Sequence, residues 1–288
     1  MSYDITISTT IKRLSKQGIL EVSIKILVVG CAGRMGRRII SVIENSDGVE
    51  LGAGLDMPGG PYIGLDAGEV AGVGKKNIPI SSNISQVVDD CDVIIDFSVP
   101  SVSLENFLTA HEKGKAIIIG TTGMSEEHYK TFDAMAKTSR AVIAPNMSVG
   151  VNALFKLVSE ASKILGDYDV EIVEMHHNQK VDAPSGTGVR LASIVAHEMN
   201  RDLDKVAKYG RNGKEGVRPK NEIGIMTLRG GDVVGEHTVI FAGLGERVEL
   251  THRAGSRDNF ATGAVLASKW IVKQQNGIYD MQDVLGLR

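Results

Sequence analysis

Residues 24–44 read IKILVVGCAGRMGRRIISVIE, and this stretch decides the fold of the chain. The six residues IKILVV form a short β-branched run, which is typical of a strand buried on both faces. Gly30, Gly33 and Gly36 fall in the turn and the first helical turn that follow. Such a turn lets a pyrophosphate approach the backbone, and the helix N-terminus offers free N–H groups. The stretch predicts a dinucleotide-binding unit. Because the spacing is GxxGxxG rather than GxGxxG, a glycine turn without a ligand stays an alternative.

A second strand-like run, VELGAGLD at 49–56, ends in Asp56, 20 positions after Gly36. A carboxylate at this place can accept hydrogen bonds from the adenosine ribose of a dinucleotide. The next residue, Met57, is uncharged, whereas selective binding of a 2′-phosphate usually needs an arginine or lysine beside the site. The sequence therefore favours NADH. NADPH stays an alternative because three arginines of the first helix could reach a phosphate: Arg34, Arg37 and Arg38.

Strands and helices keep alternating through the first half of the chain. Further strand-like runs occupy 92–100, 115–120 and 141–150, and helical patterns occupy 103–114 and about 125–137. Such alternation implies right-handed crossovers and a parallel sheet, whose ligand crevice lies at the carboxyl ends of the strands. We expect the loops at those ends to face the cofactor, with an ordinary turn as the alternative for each residue. They contain Thr121, Thr122, Ala144, Pro145, Asn146 and Met147.

The second half begins with a helical pattern after Asn152 and continues with DVEIVEMHH at 169–177, which is strand-like. Neighbouring side chains of a strand point to opposite faces, so His176 and His177 cannot easily share one metal ion. We therefore predict no metal site. A histidine pair alone is more often structural than catalytic, but Lys180 and the turn after it favour a functional role.

The run VDAPSGTG at 181–188 opens a helix. Pro184 ends any local helix before it, and three small residues then precede the amphipathic run GVRLASIVAHEMN: Ser185, Gly186 and Thr187. Free N–H groups at such a helix start, with the two hydroxyls, form a receptor for a carboxylate. Lys180 and the imidazoles can neutralise a second carboxylate or supply a proton. The pattern predicts a small dicarboxylate substrate, with Asp182 capping or ordering the loop rather than binding it.

Residues 220–254 contain three or more closely spaced strands with glycine-rich turns and no intervening helix. This spacing predicts an α+β unit with a mixed or mostly antiparallel sheet, which could present a face for self-association. A last helix covers 261–275, and we expect its Trp270 to be buried. The predicted fold class is thus α/β, with a Rossmann-like, parallel-sheet nucleotide domain plus an α+β substrate domain with a mixed sheet.

Composition excludes several other classes of protein. The 288 residues are 42% hydrophobic, which is enough for a core, and the formal net charge of −3 gives no global field for nucleic acid or an anionic membrane. No run approaches the roughly 20 apolar residues of a membrane-spanning helix.

Cys31 and Cys91 lack metal-type spacing and suit a reducing compartment. Residues 1–23 lack the apolar segment of a secretion signal, so we predict an N-terminal extension of a cytoplasmic protein. A transit peptide is the alternative, which Asp4 and Glu21 weaken.

Seven motifs carry a resemblance to a known family: GCAGRMG, IDFSVP, GTTG, NMSVGVN, EMHHNQKVDAPSGT, RGGDVVGEHTV and THRAGSRDNFATGA. Over residues 24–288 the chain resembles the 4-hydroxy-tetrahydrodipicolinate reductases, the dihydrodipicolinate reductase family of lysine biosynthesis. The resemblance implies reduction of 4-hydroxy-tetrahydrodipicolinate to tetrahydrodipicolinate by NADH or NADPH, in a homotetramer held together through its substrate domains. It also implies that the C-terminal helix completes the nucleotide domain. The dinucleotide-binding domain would then comprise 1–148 and 259–288, and the substrate-binding and oligomerisation domain 149–258.

The same resemblance implies roles for individual residues. His176 would be the catalytic acid or base, Lys180 the proton donor and His177 a substrate ligand. Gly186 and Thr187 would hold a substrate carboxylate. The cofactor would contact Gly30, Cys31, Ala32, Gly33, Arg34, Met35, Asp56, Gly120, Thr121, Thr122, Ala144, Pro145, Asn146 and Met147.

Two positions depart from the family pattern. Many members have an arginine where this chain has Met57, and an aromatic residue near the nicotinamide where it has Met147. Two other functions stay open: a dehydrogenase that acts on an amino acid or a semialdehyde, and a nucleotide-sensing regulator. The cationic cluster and the Ser-Gly-Thr helix start favour a compact dicarboxylate over the first. The second lacks any helix-turn-helix signature.

Overall fold

The computed structural model describes residues 23–288. The extension predicted for residues 1–23 therefore lies outside the described residues, apart from Ser23. Twelve strands follow one another in the described part of the chain: β1 (Ile24–Val29), β2 (Val49–Leu55), β3 (Ile80–Ser81), β4 (Val93–Asp96), β5 (Ala116–Ile119), β6 (Arg140–Ile143), β7 (Asp169–His176), β8 (Ala207–Tyr209), β9 (Ile223–Arg229), β10 (Gly235–Ala242), β11 (Arg247–Ala254) and β12 (Gly277–Tyr279).

Nine α-helices and one short 3-10 helix, Ile84–Gln86, accompany these strands between residues 23 and 288. The α-helices are α1 (Arg34–Glu44), α2 (Ala67–Ala71), α3 (Pro100–Glu112), α4 (Glu126–Ala134), α5 (Val149–Ile164), α6 (Gly186–Glu198), α7 (Leu203–Val206), α8 (Asp258–Ile271) and α9 (Met281–Val284). Over this range, no helix has both the length and the apolar character needed to cross a membrane.

Seven strands form a parallel sheet in the order β12-β6-β5-β4-β1-β2-β3. β1 lies inside the sheet and pairs in parallel with its two neighbours, β2 and β4. All residues of β4 and β5 are buried, as strands covered on both faces require. Apolar residues of α1 and α8 cover one face, and those of α3 and α4 cover the other. This arrangement confirms the predicted Rossmann-like domain.

The chain returns to this sheet near its C-terminal end. α8 packs against α1 and β5, and β12 pairs in parallel with β6. The family resemblance implies such a return. The residue boundaries of the two domains stay a prediction.

The second sheet has the order β11-β10-β7-β9-β8. β7 pairs antiparallel with β10 and parallel with β9, so this sheet is mixed, as predicted. α5 and α6 pack on one face, where alternate residues such as Val170 and Ile172 form an apolar core. Glu174 and His176 continue this alternation toward the end of β7. The core face of the sheet therefore leads directly into the predicted site.

Two helices begin earlier than predicted. α3 begins at Pro100 rather than at 103, because proline fits the first turn of a helix, where an N–H has no partner. α5 begins at Val149 rather than after Asn152. Ser148 caps this helix, since its hydroxyl accepts a hydrogen bond from the backbone N–H of Val151.

The prediction that Trp270 is buried is wrong, because the residue is only partly covered. α8 presents its small residues to the sheet, among them Ala261, Ala264 and Ala267. The indole therefore lies beside the helix. There it packs edge-on against the ring of Tyr279, with ring centroids 5.0 Å apart.

Candidate active site

The glycine-rich turn after β1 has the shape of a phosphate-binding cradle. Gly30 has φ +66°, a conformation that residues with a Cβ rarely adopt. Gly36 packs so closely that an added Cβ would lie 2.6 Å from the Cα of Cys31. Gly33 precedes α1, and in the described chain no side chain caps that helix and no acidic residue lies in its first turn. The free N–H groups of this helix start can therefore bind a pyrophosphate.

Asp56 stands directly after β2, next to this turn. One carboxylate oxygen accepts a hydrogen bond from the backbone N–H of Ala32 at 2.8 Å. The other accepts one from the backbone N–H of Met57, also at 2.8 Å. A carboxylate has about four lone-pair positions, so both oxygens can still accept ribose hydroxyls. Met57 is 70% exposed and brings no charge to this edge. Cys31 is buried, and its N–H donates to the Leu55 carbonyl at 3.0 Å, so this residue shapes the turn through its backbone.

The three arginines of α1 differ in their freedom. The guanidinium of Arg37 donates to the Ala32 carbonyl at 2.7 Å and lies 5.0 Å from the centre of a tyrosine ring. Arg38 forms a salt bridge with Asp258 at 2.7 Å. Arg34 is exposed and makes no salt bridge within residues 23–288. Arg34 is thus the arginine best able to turn toward a cofactor phosphate.

A buried polar network fixes the loop after β5. The carboxylate of Asp96, fully buried at the end of β4, accepts a hydrogen bond from the side-chain amide of Asn106 at 2.7 Å. The Thr121 hydroxyl accepts one from Ser103 at 2.7 Å and approaches Asp96 at 3.4 Å. Thr121 is therefore held in place, whereas Thr122 beside it is exposed.

Two further loops complete this edge of the sheet. Gly120, after β5, leaves room for the ring of Phe97, with which an added Cβ would collide. After β6, Pro145 is exposed and Asn146 is half-buried. Met147 is only 1% exposed and packs in the core with residues of α8. The predicted contact of Met147 with the cofactor stays a prediction, and the buried side chain leaves this contact to the backbone.

Asn146 links the two halves of the chain. Its side-chain amide donates to the Thr187 hydroxyl at 3.1 Å, and its carbonyl accepts a hydrogen bond from the Asn152 side chain at 2.9 Å. Thr187 lies in the first turn of α6. The predicted cofactor loop and the predicted carboxylate receptor are therefore one hydrogen bond apart.

A buried carboxylate holds His176 at the end of β7. Nδ1 of His176 lies 2.6 Å from Oε2 of Glu174, and the imidazole packs edge-on against His237 with centroids 5.2 Å apart. Burial lowers the pKa of His176 despite the opposing effect of Glu174, so this imidazole is neutral at pH 7. Burial alone would raise the pKa of Glu174. Hydrogen bonds from Arg229 and His176 instead hold that pKa below its usual range.

The loop after β7 carries the other predicted groups. His177 is half-buried, and its backbone N–H donates to the Val233 carbonyl at 2.7 Å. Nζ of Lys180 donates to Oδ1 of Asp182 at 2.7 Å, and the Lys180 side chain keeps 20% of its surface exposed. This pair holds the pKa of Asp182 below its usual range. This contact is what a loop-ordering residue would make, and the role of Asp182 stays a prediction.

α6 begins with Ser185 as its N-cap. The Ser185 hydroxyl accepts the N–H of Gly188 at 3.1 Å and lies 3.1 Å from Nε2 of His237. Ser185 is therefore engaged inside the protein, and its predicted role as a substrate ligand stays a prediction. Gly186 is exposed and Thr187 is half-buried, so both can present polar groups to a ligand.

Three side chains at this place have potential metal-ligand atoms within 4.8 Å of one another: Glu174, His176 and His237. Both oxygens of Glu174 already accept hydrogen bonds from the guanidinium of Arg229. A metal ion bound to Glu174 would stand beside that positive charge and displace these bonds. The set therefore fits an internal hydrogen-bond network better than a metal site.

Sequence reasoning missed Glu174, Arg229 and His237. The sequence did contain a signal that Glu174 is buried. Side chains of a strand alternate between its two faces, and Glu174 follows Val170 and Ile172, which point inward, at the same spacing of two. A carboxylate at a buried position needs a partner. The partner could not be identified, since Arg229 comes from β9, 55 residues later, and local sequence does not set the register of such distant strands.

One sheet is parallel, is covered by helices on both faces and carries an open glycine turn; the other is mixed and leads into the loop with His176 and Lys180. These features define a dinucleotide-binding enzyme of the Rossmann type. Comparisons with known proteins narrow this class. Residues 24–147 match the family model described as dihydrodipicolinate reductase, N-terminus, and residues 150–285 match dihydrodipicolinate reductase, C-terminus. The chain therefore belongs to the dihydrodipicolinate reductase family.

Curated relatives agree with this assignment. Two proteins named 4-hydroxy-tetrahydrodipicolinate reductase, from Geotalea daltonii and Geobacter metallireducens, are each 53% identical to this chain over 266 residues. Each match covers 92% of this chain and 100% of the relative. The family comprises NAD(P)H-dependent oxidoreductases of lysine and diaminopimelate biosynthesis.

Solved structures show the same fold. Dipicolinate-bound dihydrodipicolinate reductase from Paenisporosarcina sp. TG-14 has a TM-score of 0.72 at 23% identity, over 91% of this chain and 98% of that one. GenD2 from gentamicin A biosynthesis, in complex with NAD, has a TM-score of 0.59 at 13% identity, over 92% of this chain and 91% of that one. These likenesses confirm the predicted architecture.

Proposed function

We propose that this chain reduces 4-hydroxy-tetrahydrodipicolinate to tetrahydrodipicolinate with NAD(P)H, the activity for which its curated relatives are named. One structural observation in this chain supports the proposal. The hydrogen bond of 3.1 Å between Asn146 and Thr187 joins the candidate cofactor edge to the candidate carboxylate receptor. Hydride transfer needs the reacting atoms in contact, and a ring held at this receptor would lie beside that edge.

The glycine turn fits a dinucleotide, because its Cβ-free positions and uncapped helix start leave room and N–H groups for a pyrophosphate. We assign the pyrophosphate to residues 30–35, the adenosine ribose to Asp56, and the nicotinamide end to the loops 120–122 and 144–147. When bound, NAD(P)H supplies the hydride. The uncharged Met57 favours NADH over NADPH.

Two receptors suit the two carboxylates of this substrate. The N–H groups at the start of α6 and the Thr187 hydroxyl bind one carboxylate, at Gly186 and Thr187. His177 and Lys180 lie in the loop after β7 and can donate hydrogen bonds to the other carboxylate. A relative of the same fold is described as dipicolinate-bound, which supports a compact dicarboxylate as the ligand class.

Overall, the 4-hydroxyl group leaves as water together with a proton from the adjacent carbon, a hydride adds at C4, and a proton adds back at that same adjacent carbon. We assign the proton to Lys180. Its ammonium has spare protons, whereas His176 is neutral and directs its Nδ1 to Glu174. Lys180 can regain a proton from solvent, to which its side chain is 20% exposed.

The substrate class is tested by calorimetric titration of dipicolinate into the protein saturated with NADH. We expect dipicolinate to bind more tightly than picolinate, which has one carboxylate, and Thr187→Val to reduce this difference. Equal affinities for the two ligands in the wild-type protein would contradict the two-receptor assignment. Cofactor binding without any dicarboxylate binding would favour a nucleotide sensor instead.

We also propose a homotetramer that assembles through the face of the second sheet not covered by α5 and α6. Five residues of this face are apolar, Val173, Met175, Met226, Leu228 and Ile240, and they share it with Glu171, Glu236 and Thr238. Leu228 is 49% exposed, and an exposed apolar residue with apolar neighbours, rimmed by polar residues, is typical of an interface. Light scattering should give four times the 30.8 kDa mass of the chain. An active monomer would contradict this assembly.

The domain division and the cellular location complete the proposal. The dinucleotide-binding domain comprises 1–148 and 259–288, and the substrate domain comprises 149–258. The return of α8 and β12 to the first sheet supports this division. The two buried free thiols, Cys31 and Cys91, support a reducing, cytoplasmic location.

A further inference from the structure

We propose that Glu174 is the positioning residue of this site. It fixes His176 in the tautomer that carries its proton on Nδ1, and it holds together the segments that bear Lys180 and Thr187. The inference rests on the proposed function, because it assigns these three residues to one reductase site.

The tautomer follows from the contact between Glu174 and His176. Nδ1 of His176 lies 2.6 Å from Oε2 of Glu174, and an ionised carboxylate can only accept a hydrogen bond. Nδ1 must therefore carry the proton. Because the imidazole is neutral, its Nε2 is then an acceptor. An added Cβ at Gly235 would lie 3.0 Å from this Nε2, so the glycine keeps the acceptor side clear.

Arg229 extends the influence of Glu174 to the loop after β7. Its two terminal nitrogens donate to the two carboxylate oxygens of Glu174 at 3.0 Å each, and one of them also donates to the Asp182 carbonyl at 2.7 Å. The Asp182 carboxylate in turn accepts a hydrogen bond from the ammonium of Lys180. The pair of Glu174 and Arg229 thus anchors the loop that carries the proposed proton donor.

The start of α6 is attached to the same carboxylate. Oε1 of Glu174 accepts the backbone N–H of Ser185 at 3.0 Å. Ser185 directly precedes the proposed carboxylate ligands, Gly186 and Thr187. One buried side chain therefore orders three segments of the site: the end of β7, the loop after it and the first turn of α6.

The charges around His176 show what removal of the carboxylate would do. Glu174 comes from its own strand, Arg229 from β9, His237 from β10 and Lys180 from the following loop. His237 is neutral at pH 7, because burial lowers its pKa to about 4. In the described chain, Glu174 is the negative group in contact with His176. Without it two cations remain nearby, so the pKa of His176 falls further.

The direct test is the ¹⁵N NMR spectrum of the histidine side chains in the full-length protein, with His176 assigned by its loss in His176→Asn. We expect a protonated Nδ1 and an unprotonated Nε2 at pH 7. A wild-type His176 with its proton on Nε2 overturns the proposal. This result needs no Glu174 variant, so it decides the matter even if such a variant does not fold.

Glu174→Gln keeps the shape of the side chain and removes its charge. We expect kcat to fall roughly 10- to 100-fold, which is less than the contribution of about 10²–10⁴-fold from a positioned acid–base group, because Glu174 acts through His176. We also expect the acid limb of the kcat/KM profile to move to lower pH. A folded Glu174→Gln protein with unchanged kcat, tautomer and pH limb overturns the positioning role.

Glu171→Gln is the matched control. Glu171 lies on the same strand and, like Glu174, pairs with arginine, here with both Arg211 and Arg218, but it points to the opposite face of the sheet. This variant should change the Tm without changing the tautomer of His176. Failure of the proposed function looks different: the wild-type protein would bind NADH and show the Nδ1 tautomer, yet would not reduce the substrate.

Discussion

Replacing Gly36 by alanine tests the glycine turn with a single methyl group. The added Cβ would lie 2.6 Å from the Cα of Cys31 and 2.8 Å from its carbonyl carbon. Ordinary contacts of a Cβ begin at 3.4 Å, so the overlap with the Cα is about 0.8 Å. Both atoms of Cys31 belong to the backbone and cannot rotate away. The turn and α1 must therefore move apart.

Overpacking of this kind typically costs about 1–3 kcal/mol. For a domain of this size, that cost lowers the Tm by roughly 2–12 °C. The moved turn also no longer directs its N–H groups at the pyrophosphate. We therefore expect the affinity for NADH to fall at least about tenfold, which corresponds to about 1.4 kcal/mol.

Scanning calorimetry measures the change in Tm, and a fluorescence titration with NADH measures the affinity. Gly166→Ala is the matched control, because an added Cβ there meets one atom within 4 Å, at an ordinary 3.8 Å. It should retain the wild-type Tm and affinity. A Gly36→Ala protein that also retains both would refute the close packing on which the cofactor site rests.

Three further predictions follow from the site. Lys180→Ala should lower kcat by roughly two to four orders of magnitude, the usual contribution of a positioned acid, and a folded variant with nearly the wild-type rate would remove Lys180 from the mechanism. Met57→Arg should raise the ratio of kcat/KM for NADPH to that for NADH by roughly 10- to 100-fold, because a charge-assisted hydrogen bond contributes about 1.5–3 kcal/mol. An unchanged ratio would show that position 57 does not contact the 2′-phosphate. Burial lowers the pKa of His237 from 6.5 to about 4, so the unfolded chain binds the extra proton, and the free energy of unfolding should fall by up to about 3 kcal/mol as the pH drops from 6.5 toward 4. Urea unfolding should show a weaker pH dependence for His237→Asn, and an identical dependence in both proteins would contradict this assignment.

Much of the fold could be predicted because its signals are local. The last four residues of the run IKILVV are buried in the structure, and the glycines after it lie in the turn and the first turn of α1. The position of Trp270 could not be predicted in this way. A helical pattern shows which residues are apolar, but the packing of α8 through its alanines decides which of them are covered.

The site was predictable to the extent that residue type implies chemistry. His176 stands at a strand end and Lys180 in the loop after it, and their roles toward a ligand stay predictions. The network beneath them was not predictable, since Glu174 meets Arg229 only through the register of β7 and β9. The side chain of Met147 was not predictable for the same reason. The sequence predicts that its loop lies at the carboxyl ends of the parallel strands, but tertiary packing directs this side chain into the core.

The most direct test of the central claim is a coupled reaction with the purified protein. The preceding synthase makes the substrate from pyruvate and aspartate semialdehyde, NADH or NADPH is supplied, and the product is identified by mass spectrometry. We predict cofactor oxidation that depends on both enzymes and a product one oxygen atom lighter than the synthase product. A folded, cofactor-binding protein that leaves both the cofactor and the synthase product unchanged would contradict the assignment of this chain as a 4-hydroxy-tetrahydrodipicolinate reductase.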